Sequence, residues 1–324
     1  MISMRVSQKS WPLKQPLKFA FAELHSIDVL TVELDSGAAR GRGEGIGVFF
    51  HGDNPEKGAI ELAAFEKGFG SQVAVEAALG GLKSYAARNA LDCALWDLRC
   101  KEASTSIHEM IGAPAGTIQT FQTISLDAPG AMAAAAEKVT GPRLKLKVDA
   151  PRIVDQVRAV RQVRGDAILM ADANQDLSFE RLREVAPALA KLNLIMLEQP
   201  LTAGEDADLA GFQSPIPLCA DESCFTVSAL EGLAGLYDAV NIKLDKTGGL
   251  TGALALLAEA RRLGFDVLVG CMAGTSLSMA PALALATMCD FADLDGPLLL
   301  ADDYDNAARY VDGTVYPPPK EFWG

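Results

Sequence analysis

The sequence predicts an α/β protein in which a (β/α)8 barrel follows an α+β unit. The first observation is an eightfold recurrence from about residue 119 onward. A short run rich in leucine or β-branched residues ends in a polar residue, and a stretch with helical periodicity follows. Strands that alternate with helices pair in parallel, and eight such units close into a barrel. The second observation is that residues 1–118 lack this recurrence.

Helical segments such as PRIVDQVRAVRQVRG separate the predicted barrel strands. That segment places Ile153, Val157 and Val160 at helical spacing, as an amphipathic helix requires. The eight strands are predicted in the runs TFQTIS, RLKLKV, AILMADAN, LIMLEQP, IPLCADES, AVNIKLD, DVLVGCM and FADLDGP.

The N-terminal part has a different pattern. VLTVELDSGAARGRGEGIG is typical of strand, turn and strand, and AARNALDCALWDLRCKEA places Ala90, Ala94 and Leu98 on one helical face. We therefore predict three parts. These are an α+β domain over residues 1–118, the barrel over residues 119–298, and a segment of hairpin and loop character over residues 299–324 that packs back on the first domain.

Charge and hydropathy exclude several functional classes. The 324 residues are 49% hydrophobic and carry a net charge of −13, which disfavours binding to nucleic acids or anionic membranes, because both need clustered positive charge. No window approaches 18 uncharged apolar residues, and the N-terminus MISMRVSQKSWPLK lacks the apolar core of a signal peptide. We expect a cytoplasmic protein that acts on a small molecule. The sequence leaves open whether it forms a homo-oligomer.

The cysteines and histidines limit the chemistry further. All six cysteines lie inside apolar segments without a close pair such as CxxC, which is typical of reduced, buried cysteines in a cytosolic protein. The three histidines all precede residue 110. A Ser-His-Asp triad, a His-rich zinc site and a histidine base are therefore excluded from the barrel.

Charged residues stand at the ends of five consecutive predicted strands. RLKLKV alternates apolar residues with Lys145 and Lys147, so both lysines project from one face of their strand. The strand ends that follow are 22 to 26 residues apart, one βα unit per step. In a barrel these ends meet at one rim, where catalytic residues lie. The charged set is Lys145, Lys147, Asp172, Glu198, Asp221 and Lys243.

Alternation within the strands predicts that these charges point into the barrel mouth. Met170 and Asp172 share one face of their strand, as do Met196 and Glu198. The apolar residues between them take the other face and can pack on the outer helices.

The three carboxylates predict a metal site. Carboxylates that meet at one point cannot all stay ionised without a cation. Oxygen ligands without histidine or thiolate suit a hard ion, so we predict Mg²⁺ at Asp172, Glu198 and Asp221. The lysines stand on both sides of that ion. A neighbouring ammonium group and a divalent cation lower a lysine's pKa toward the range of a base, and Lys145 would do this to Lys147.

Each residue taken alone has a structural alternative. An acidic residue at a strand end is usually a helix cap, and a single lysine there is usually a solvated rim residue. Five strands in step and in phase favour the functional interpretation for the set. Lys246 is out of phase with Lys243, and we expect it to be a solvated loop residue. Gly248 and Gly249 fit a turn and a helix start better than a phosphate site, and an anion-binding role stays open as the alternative.

Several motifs extend this pattern over essentially the whole chain. KxK, DAN, EQP, ADES and IKLDKTGG resemble the enolase superfamily, muconate-lactonizing subgroup. WPLKQP, ARNALDCALWDL, CADESC, VNIKLDKTGGLTGALAL and FADLDGP resemble the dipeptide epimerases, which include the L-Ala-D/L-Glu epimerases. The resemblance implies a capping α+β domain on a modified (β/α)8 TIM barrel.

The resemblance also implies a mechanism, a 1,1-proton transfer at the α-carbon of a dipeptide's C-terminal residue. Lys147 would be the base on one face of the substrate, Lys243 the acid/base on the other, and Lys145 would tune Lys147. The three carboxylates would bind Mg²⁺, which stabilises the enediolate together with the lysines.

Further residues match the family's contacts to the substrate. Asp293 and Asp295 correspond to an Asp-x-Asp pair on the eighth strand that holds the dipeptide's free α-ammonium group. Two carboxylates at the rim suit one ammonium group. Thr123, at the end of the first strand, corresponds to a contact with the substrate's carboxylate.

A departure from the family pattern concerns the substrate's side chain. Family members that act on Ala-Glu carry an arginine in a flexible loop of the capping domain, whereas the loop here is FAFAELHSID and contains none. Leu24 stands at the corresponding place. Phe19, Phe21 and Leu24 therefore favour an apolar C-terminal residue. Glu23, and Asp53 in the second loop FFHGDNPEKG, could instead hold a cationic side chain.

Two other functions remain as alternatives. One is an o-succinylbenzoate synthase or muconate cycloisomerase on the same scaffold, against which Asp293 and Asp295 count. The other is a metal-stabilised binding protein without catalysis, which would need neither lysine. Replacing Lys147 or Lys243 separates the cases, because only an enzyme would lose its function while keeping its metal and fold.

Overall fold

The computed structural model of the protein describes residues 1–19 and 22–324. The chain begins with an antiparallel sheet in the order β1-β2-β3, followed by four helices. The strands are β1 (Ser3–Lys18), β2 (Glu23–Asp35) and β3 (Arg40–Gly45). The helices are α1 (Pro55–Leu62), α2 (Gln72–Leu79), α3 (Tyr85–Ala103) and α4 (Ile107–Ile111).

After the short strand β4 (Ile118–Gln119), eight strands form one parallel sheet in which neighbours in space follow chain order. They are β5 (Gln122–Ile124), β6 (Arg143–Lys147), β7 (Ile168–Asp172), β8 (Leu194–Glu198), β9 (Leu218–Ala220), β10 (Ala239–Lys243), β11 (Asp266–Gly270) and β12 (Phe291–Asp293). Phe121 N, just ahead of β5, donates to Ala292 O in β12 at 2.8 Å and brings the two edges together. The predicted fold class is confirmed, and each predicted run contains one strand.

Eight helices accompany this sheet. They are α5 (Pro129–Ala136), α6 (Ile153–Val163), α7 (Phe179–Lys191), α8 (Leu230–Leu233), α9 (Leu244–Thr247), α10 (Leu250–Leu263), α11 (Ser276–Ala286) and α12 (Gly296–Leu299). No helix within residues 1–19 and 22–324 is both long and apolar enough to cross a membrane.

Alternate residues of the barrel strands belong to two different apolar cores. Met170 and Met196 lie in a small core inside the barrel, on the faces that carry Asp172 and Glu198. The intervening residues Leu169, Ala171 and Leu197 belong to the large outer core, which also holds the helix residues Val157, Val160, Leu182 and Leu256. The apolar interior thus closes the barrel beneath its polar mouth.

The C-terminal hairpin, β13 (Arg309–Val311) and β14 (Thr314–Tyr316), pairs with β4. The last residues then reach the N-terminal part: Gly324 N donates to Asp97 Oδ1 at 2.8 Å, and Trp323 Nε1 donates to Arg42 O at 2.8 Å. The domain boundaries at residues 118 and 298 stay predictions.

One face of β3 consists of glycines that lie directly against α3. A Cβ atom at Gly41, Gly43 or Gly45 would stand 2.1–2.2 Å from the carbonyl oxygen of an alanine in that helix. The alanines, Ala86, Ala90 and Ala94, recur every four residues along α3. Strand and helix therefore meet backbone to backbone, which only glycine permits here.

We predict that Gly43→Ala destabilises the protein. The added methyl group would collide with Ala90 O, a backbone atom that cannot move alone, and overpacking of this kind costs about 3 kcal/mol. Urea unfolding followed by circular dichroism measures the change. The matched control is Gly130→Ala in the first turn of α5, where no atom lies within 4 Å of the new Cβ and stability should stay the same or rise. Equal stability of the two variants would contradict the prediction.

The opposite face of β3 contacts the barrel through Glu44. Its Oε1 accepts hydrogen bonds from Thr275 N and Thr275 Oγ1 (3.3 and 2.8 Å), at the start of α11. Nearby, Asp245 Oδ1 accepts from Ile46 N at 2.8 Å. Burial raises the pKa of Glu44 to about 7; the Thr275 hydrogen bonds oppose this shift, and the negative charges of Asp303 and Asp245 add to it.

We predict that Glu44→Gln makes stability less sensitive to pH. Because the pKa of Glu44 is raised on folding, the folded protein retains a proton that the unfolded chain has released. This stabilisation is complete below pH 4.5 and is lost as the pH rises to about 7. Unfolding free energies at pH 5 and pH 8 should show that the wild type loses about 2–3 kcal/mol relative to the variant. Glu66→Gln, an exposed substitution, is the control, and parallel pH curves for wild type and Glu44→Gln would refute the assignment.

Candidate active site

The charged strand ends meet at one rim of the barrel. In the sheet Lys147 pairs with Asp172, and Asp172 pairs with Glu198, so three of the predicted residues lie at one level on β6, β7 and β8. Lys243 and Asp293 both pair with Gly270 and hold the same level on β10 and β12. A cavity opens there, between the barrel mouth and the N-terminal sheet.

Lys145 connects three carboxylates. It is 1% exposed, and its Nζ lies 2.7 Å from Asp293 Oδ2, 2.7 Å from Glu198 Oε2 and 3.2 Å from Asp172 Oδ2. A buried ammonium group requires partners of this kind, because desolvation would otherwise neutralise it. The two lysines of β6 thus point into the fold because acidic strand ends surround them.

Lys147 and Lys243 stand on opposite sides of the cavity. Three strands separate β6 from β10 in either direction around the eight-stranded barrel. Lys147 Nζ lies 2.6 Å from Asp172 Oδ2 and 5.0 Å from the centre of the Phe19 ring. Lys243 Nζ lies 2.6 Å from Asp221 Oδ2. Both side chains line the cavity, so each can reach a molecule bound there from its own side.

Neighbouring carboxylates raise the pKa values of two lysines, Lys145 and Lys243. Burial works against the charged form of Lys145, but the attraction of Asp293, Glu198 and Asp172 is stronger and raises its pKa well above the usual range. Burial likewise opposes the charge on Lys243, yet Asp221 raises its pKa. Our expectation was that Lys145 and a divalent cation together lower the pKa of Lys147. The carboxylates act in the opposite direction on Lys145 and Lys243.

The three predicted metal ligands differ in charge state. Burial opposes ionisation of Asp172, but Lys147 and Lys145 outweigh it and lower its pKa to about 2. Burial also opposes ionisation of Asp221, but the positive charges of Lys243 and Lys246 outweigh it and lower the pKa of Asp221. Burial and the charge of Asp172 raise the pKa of Glu198 to about 7, although Lys145 opposes the shift.

The fit of the three carboxylates to a metal ion depends on the lysines between them. Within the described residues, no three His, Cys, Asp or Glu side chains stand ready to hold one, because ammonium groups lie between the carboxylates. Two features nevertheless suit a hard cation. Glu198 Oε2 makes no hydrogen bond despite its closeness to Lys145. Six buried carboxylates also face four buried ammonium groups, an excess of two negative charges when all are ionised. The carboxylates are Asp172, Glu198, Asp221, Glu222, Asp293 and Asp295, and the lysines are Lys145, Lys147, Lys243 and Lys246.

The Asp-x-Asp pair lines the cavity beside β5. Thr123 N and Thr123 Oγ1 donate to the two carboxylate oxygens of Asp295 at 2.6 and 3.3 Å, so this residue contacts Asp295 directly. Asp293 Oδ1 is buried without a hydrogen-bond partner. Burial and the neighbouring charge of Asp293 raise the pKa of Asp295 to about 7. A positively charged donor between these two side chains would satisfy both.

The wall that faces the barrel mouth is apolar. Phe19 and Leu24 line the cavity, and Phe21 lies outside the described residues. Leu17, Ile27, Ile46, Phe49 and Phe50 complete this wall, which contains no arginine in the part of the chain that the structure describes. The residues of the cationic alternative are engaged elsewhere. Glu23 lies 3.3 Å from His25 Nε2, and Asp53 accepts from Ala86 N at 2.9 Å.

The expectation for Lys246 was wrong. It is 1% exposed, and its Nζ donates to Asp221 Oδ1, Asp221 O and Asn241 O at 2.5, 2.7 and 2.9 Å. Strand alternation could not reveal this, because Lys246 belongs to the single helical turn α9, which directly follows β10. Glu222 was also overlooked. It lines the cavity and accepts a 3.3 Å hydrogen bond from Asn174 Nδ2.

Family models match both parts of the chain. Residues 127–321 match the model described as enolase C-terminal domain-like. Residues 68–112 match the N-terminal domain model of mandelate racemase / muconate lactonizing enzyme.

Individual relatives agree with the family models. The chain is 43% identical over 266 residues to N-acetyl-D-glutamate racemase of Pseudoalteromonas sp, covering 82% of this chain and 84% of that protein. It is 39% identical over 320 residues to L-Ala-D/L-Glu epimerase of Escherichia coli (strain K12), covering 98% and 100%. A crystal structure of an enolase family member from Agrobacterium tumefaciens, with homology to dipeptide epimerases and with bound sodium and L-Ala-L-Glu, matches with a TM-score of 0.94 at 39% identity and 100% coverage of both chains. The chain belongs to the enolase superfamily, in its muconate-lactonizing subgroup.

Proposed function

We propose that the protein is an isomerase, a Mg²⁺-dependent dipeptide epimerase that inverts the α-carbon of the C-terminal residue. The observation that carries the proposal is the placement of Lys147 and Lys243 on diametrically opposed strands, each beside a carboxylate at the barrel mouth. Inversion requires one proton-transfer group on each face of the carbon, whereas a lyase or cycloisomerase needs only one.

The proton steps follow from this placement. One lysine, as a neutral amine, removes the α-proton from its face, and the other, as an ammonium group, delivers a proton to the opposite face. The roles reverse for the other epimer. Mg²⁺ held by Asp172, Glu198 and Asp221 would supply positive charge for the substrate's carboxylate and the enediolate. Each lysine contacts one of these carboxylates, so a cation bound there would weaken the carboxylate's hold on the lysine and would favour the neutral amine.

Asp293 and Asp295 would bind the dipeptide's α-ammonium group. The unbonded Asp293 Oδ1 supports this role, because a buried oxygen without a donor is costly until a ligand supplies one. Thr123 holds Asp295 by two hydrogen bonds and orients it. The relative from Pseudoalteromonas is named for a substrate without a free ammonium group, so N-acyl amino acids are the competing substrate class.

The side chain of the C-terminal residue is proposed to be apolar. The relative from Escherichia coli is named for glutamate, but Leu24 and Phe19 belong to an apolar wall of this chain. The cavity lysines are paired with the buried carboxylates. A glutamate side chain would lose its hydration there without gaining a cation, which disfavours it.

Proton exchange in D₂O tests the activity. The purified protein with Mg²⁺ is incubated with L-Ala-L-Xaa dipeptides and with N-acetyl-L-Xaa compounds, and deuterium uptake is read by mass spectrometry. We expect exchange at the α-carbon of Xaa in dipeptides with apolar Xaa, abolished by EDTA. Lys147→Ala and Lys243→Ala should each lower epimerisation by about 10²–10⁴-fold, the usual share of a general base.

Each part of the proposal can fail separately in this experiment. Absence of exchange with every compound would refute the epimerase function. Exchange confined to N-acetyl compounds would refute the ammonium site at Asp293 and Asp295. A preference for glutamate would refute the role given to the apolar wall.

We predict that Leu24→Arg shifts the preference toward dipeptides that end in glutamate. A guanidinium group on this wall would pair with the side-chain carboxylate, and such a pair changes relative kcat/KM by about 10–100-fold. Competition between L-Ala-L-Glu and L-Ala-L-Leu measures the ratio. Leu24→Met conserves volume and charge and should leave the ratio unchanged. An unchanged ratio in Leu24→Arg would show that Leu24 does not contact the substrate's side chain.

The cytoplasm is the proposed compartment. All six cysteines are free thiols, and four of them are buried. Reducing compartments maintain this state. Recovery of the enzyme in the periplasmic or secreted fraction of its native cells would contradict the proposal.

A further inference from the structure

Lys246 is a buried lysine that does not line the cavity, in contrast to Lys243. Its three donor positions are all used, one on a side-chain oxygen of Asp221 and two on backbone carbonyls. The Phe225 ring lies 5.5 Å from its Nζ on another side. An ammonium group so enclosed cannot exchange protons readily with a bound substrate, so its contribution must act through the residues that it holds.

The carbonyls that Lys246 binds lie where the sheet ladder stops. The last pair between β9 and β10 joins Ala220 to Val240. Asp221 and Asn241, the residues that follow this pair, do not pair with each other, and Lys246 Nζ bridges their carbonyl oxygens. The ammonium group therefore ties the end of β9 to β10 at the level where Asp221 enters the site.

Lys246 also divides the Asp221 carboxylate between two lysines. Oδ1 faces Lys246 at 2.5 Å and Oδ2 faces Lys243 at 2.6 Å. Two strands away, at the end of β7, Asp172 Oδ2 contacts both Lys147 at 2.6 Å and Lys145 at 3.2 Å. Each cavity-facing lysine thus has a second, more deeply buried lysine that holds the same carboxylate.

We propose that Lys246 is a positioning residue for Lys243, the counterpart of Lys145 on the opposite face. By holding Asp221 Oδ1 and the Asp221 carbonyl, Lys246 fixes the carboxylate so that Oδ2 directs the Lys243 ammonium group toward the cavity. The inference rests on the proposed function, since it assigns one lysine pair to each face of the α-carbon. It adds a residue that touches neither the cavity nor the reacting carbon.

One-sided proton exchange distinguishes positioning from a general structural role. Each epimer presents its α-proton to one lysine, so α-proton exchange in D₂O can be measured for the two epimers separately. Lys243→Ala and Lys147→Ala identify which epimer faces which lysine, because each variant retains exchange only with the epimer that faces the remaining lysine. The test variant is Lys246→Met, which keeps an unbranched side chain of similar length. Lys145→Met is the mirror variant.

At saturating Mg²⁺, we expect Lys246→Met to slow exchange of the epimer facing Lys243 about tenfold or more relative to exchange of the other epimer. Lys145→Met should shift the ratio in the opposite direction. A crystal structure of Lys246→Met should show the Asp221 carboxylate turned away from Lys243, a readout that does not depend on activity.

The outcomes separate the two proposals. Equal loss for both epimers in Lys246→Met, or no loss, would overturn the positioning role while leaving the epimerase function intact. A wild-type protein that exchanges neither epimer of any substrate tested would refute the proposed function instead. If Lys246→Met does not fold, the ratio is measured in Lys246→Gln instead. Its two amide N–H donors cannot replace all three ammonium donors, so the ratio should shift in the same direction by a smaller amount.

Discussion

The mouth of the barrel depends on pairing charges that water does not reach. Asp172, Glu198 and Asp221 are at most 1% exposed, and each lies on a strand whose apolar residues are held by the surrounding cores. Such carboxylates persist only beside cations. Lys145 and Lys147 on β6, Lys243 at the end of β10 and Lys246 in α9 supply these cations. They stand between acidic groups that would otherwise repel one another. The arrangement explains why a strand buried on both faces carries two lysines.

The N-terminal domain completes the site without contributing to its charge balance. Its glycine-faced strand β3 packs backbone to backbone against α3, and Glu44 and Ile46 join the end of this strand to the barrel. The Thr275 segment that Glu44 holds follows Met272 and Ala273, which line the cavity. Packing in one domain therefore fixes a wall of a site whose charged groups come from the other.

Much of this architecture could be predicted from the sequence because its signals are periodic. The strand runs recur at regular intervals, and the alternation that sets Met170 and Asp172 apart from Leu169 and Ala171 corresponds to the two cores. Lys246 escaped prediction for a physical reason. It leaves the strand and enters a four-residue helix, so its direction is set by local backbone geometry that strand periodicity does not encode.

The sequence pattern likewise could not predict which carboxylates contact which lysines. Spacing placed Lys145 beside Lys147, but the three carboxylates around Lys145 come from β7, β8 and β12, and their combined attraction is a property of the closed barrel. The pKa of Lys145 is raised because the closed barrel brings these carboxylates around it, and Lys147, its neighbour in the chain, does not cause the shift.

The apolar wall of the cavity comes largely from the N-terminal domain, through Phe19, Leu24, Ile46 and Phe49. The two lysines proposed to transfer protons, Lys147 and Lys243, come from β6 and β10. The two sets occupy separate stretches of the gene. Mutations in the first stretch can change the wall while the second stretch stays the same, because Lys147 and Lys243 take their ion-pair partners from the barrel. A lineage with this layout can acquire new substrates while its reaction stays constant, so substrate specificity can evolve faster than the catalysed reaction.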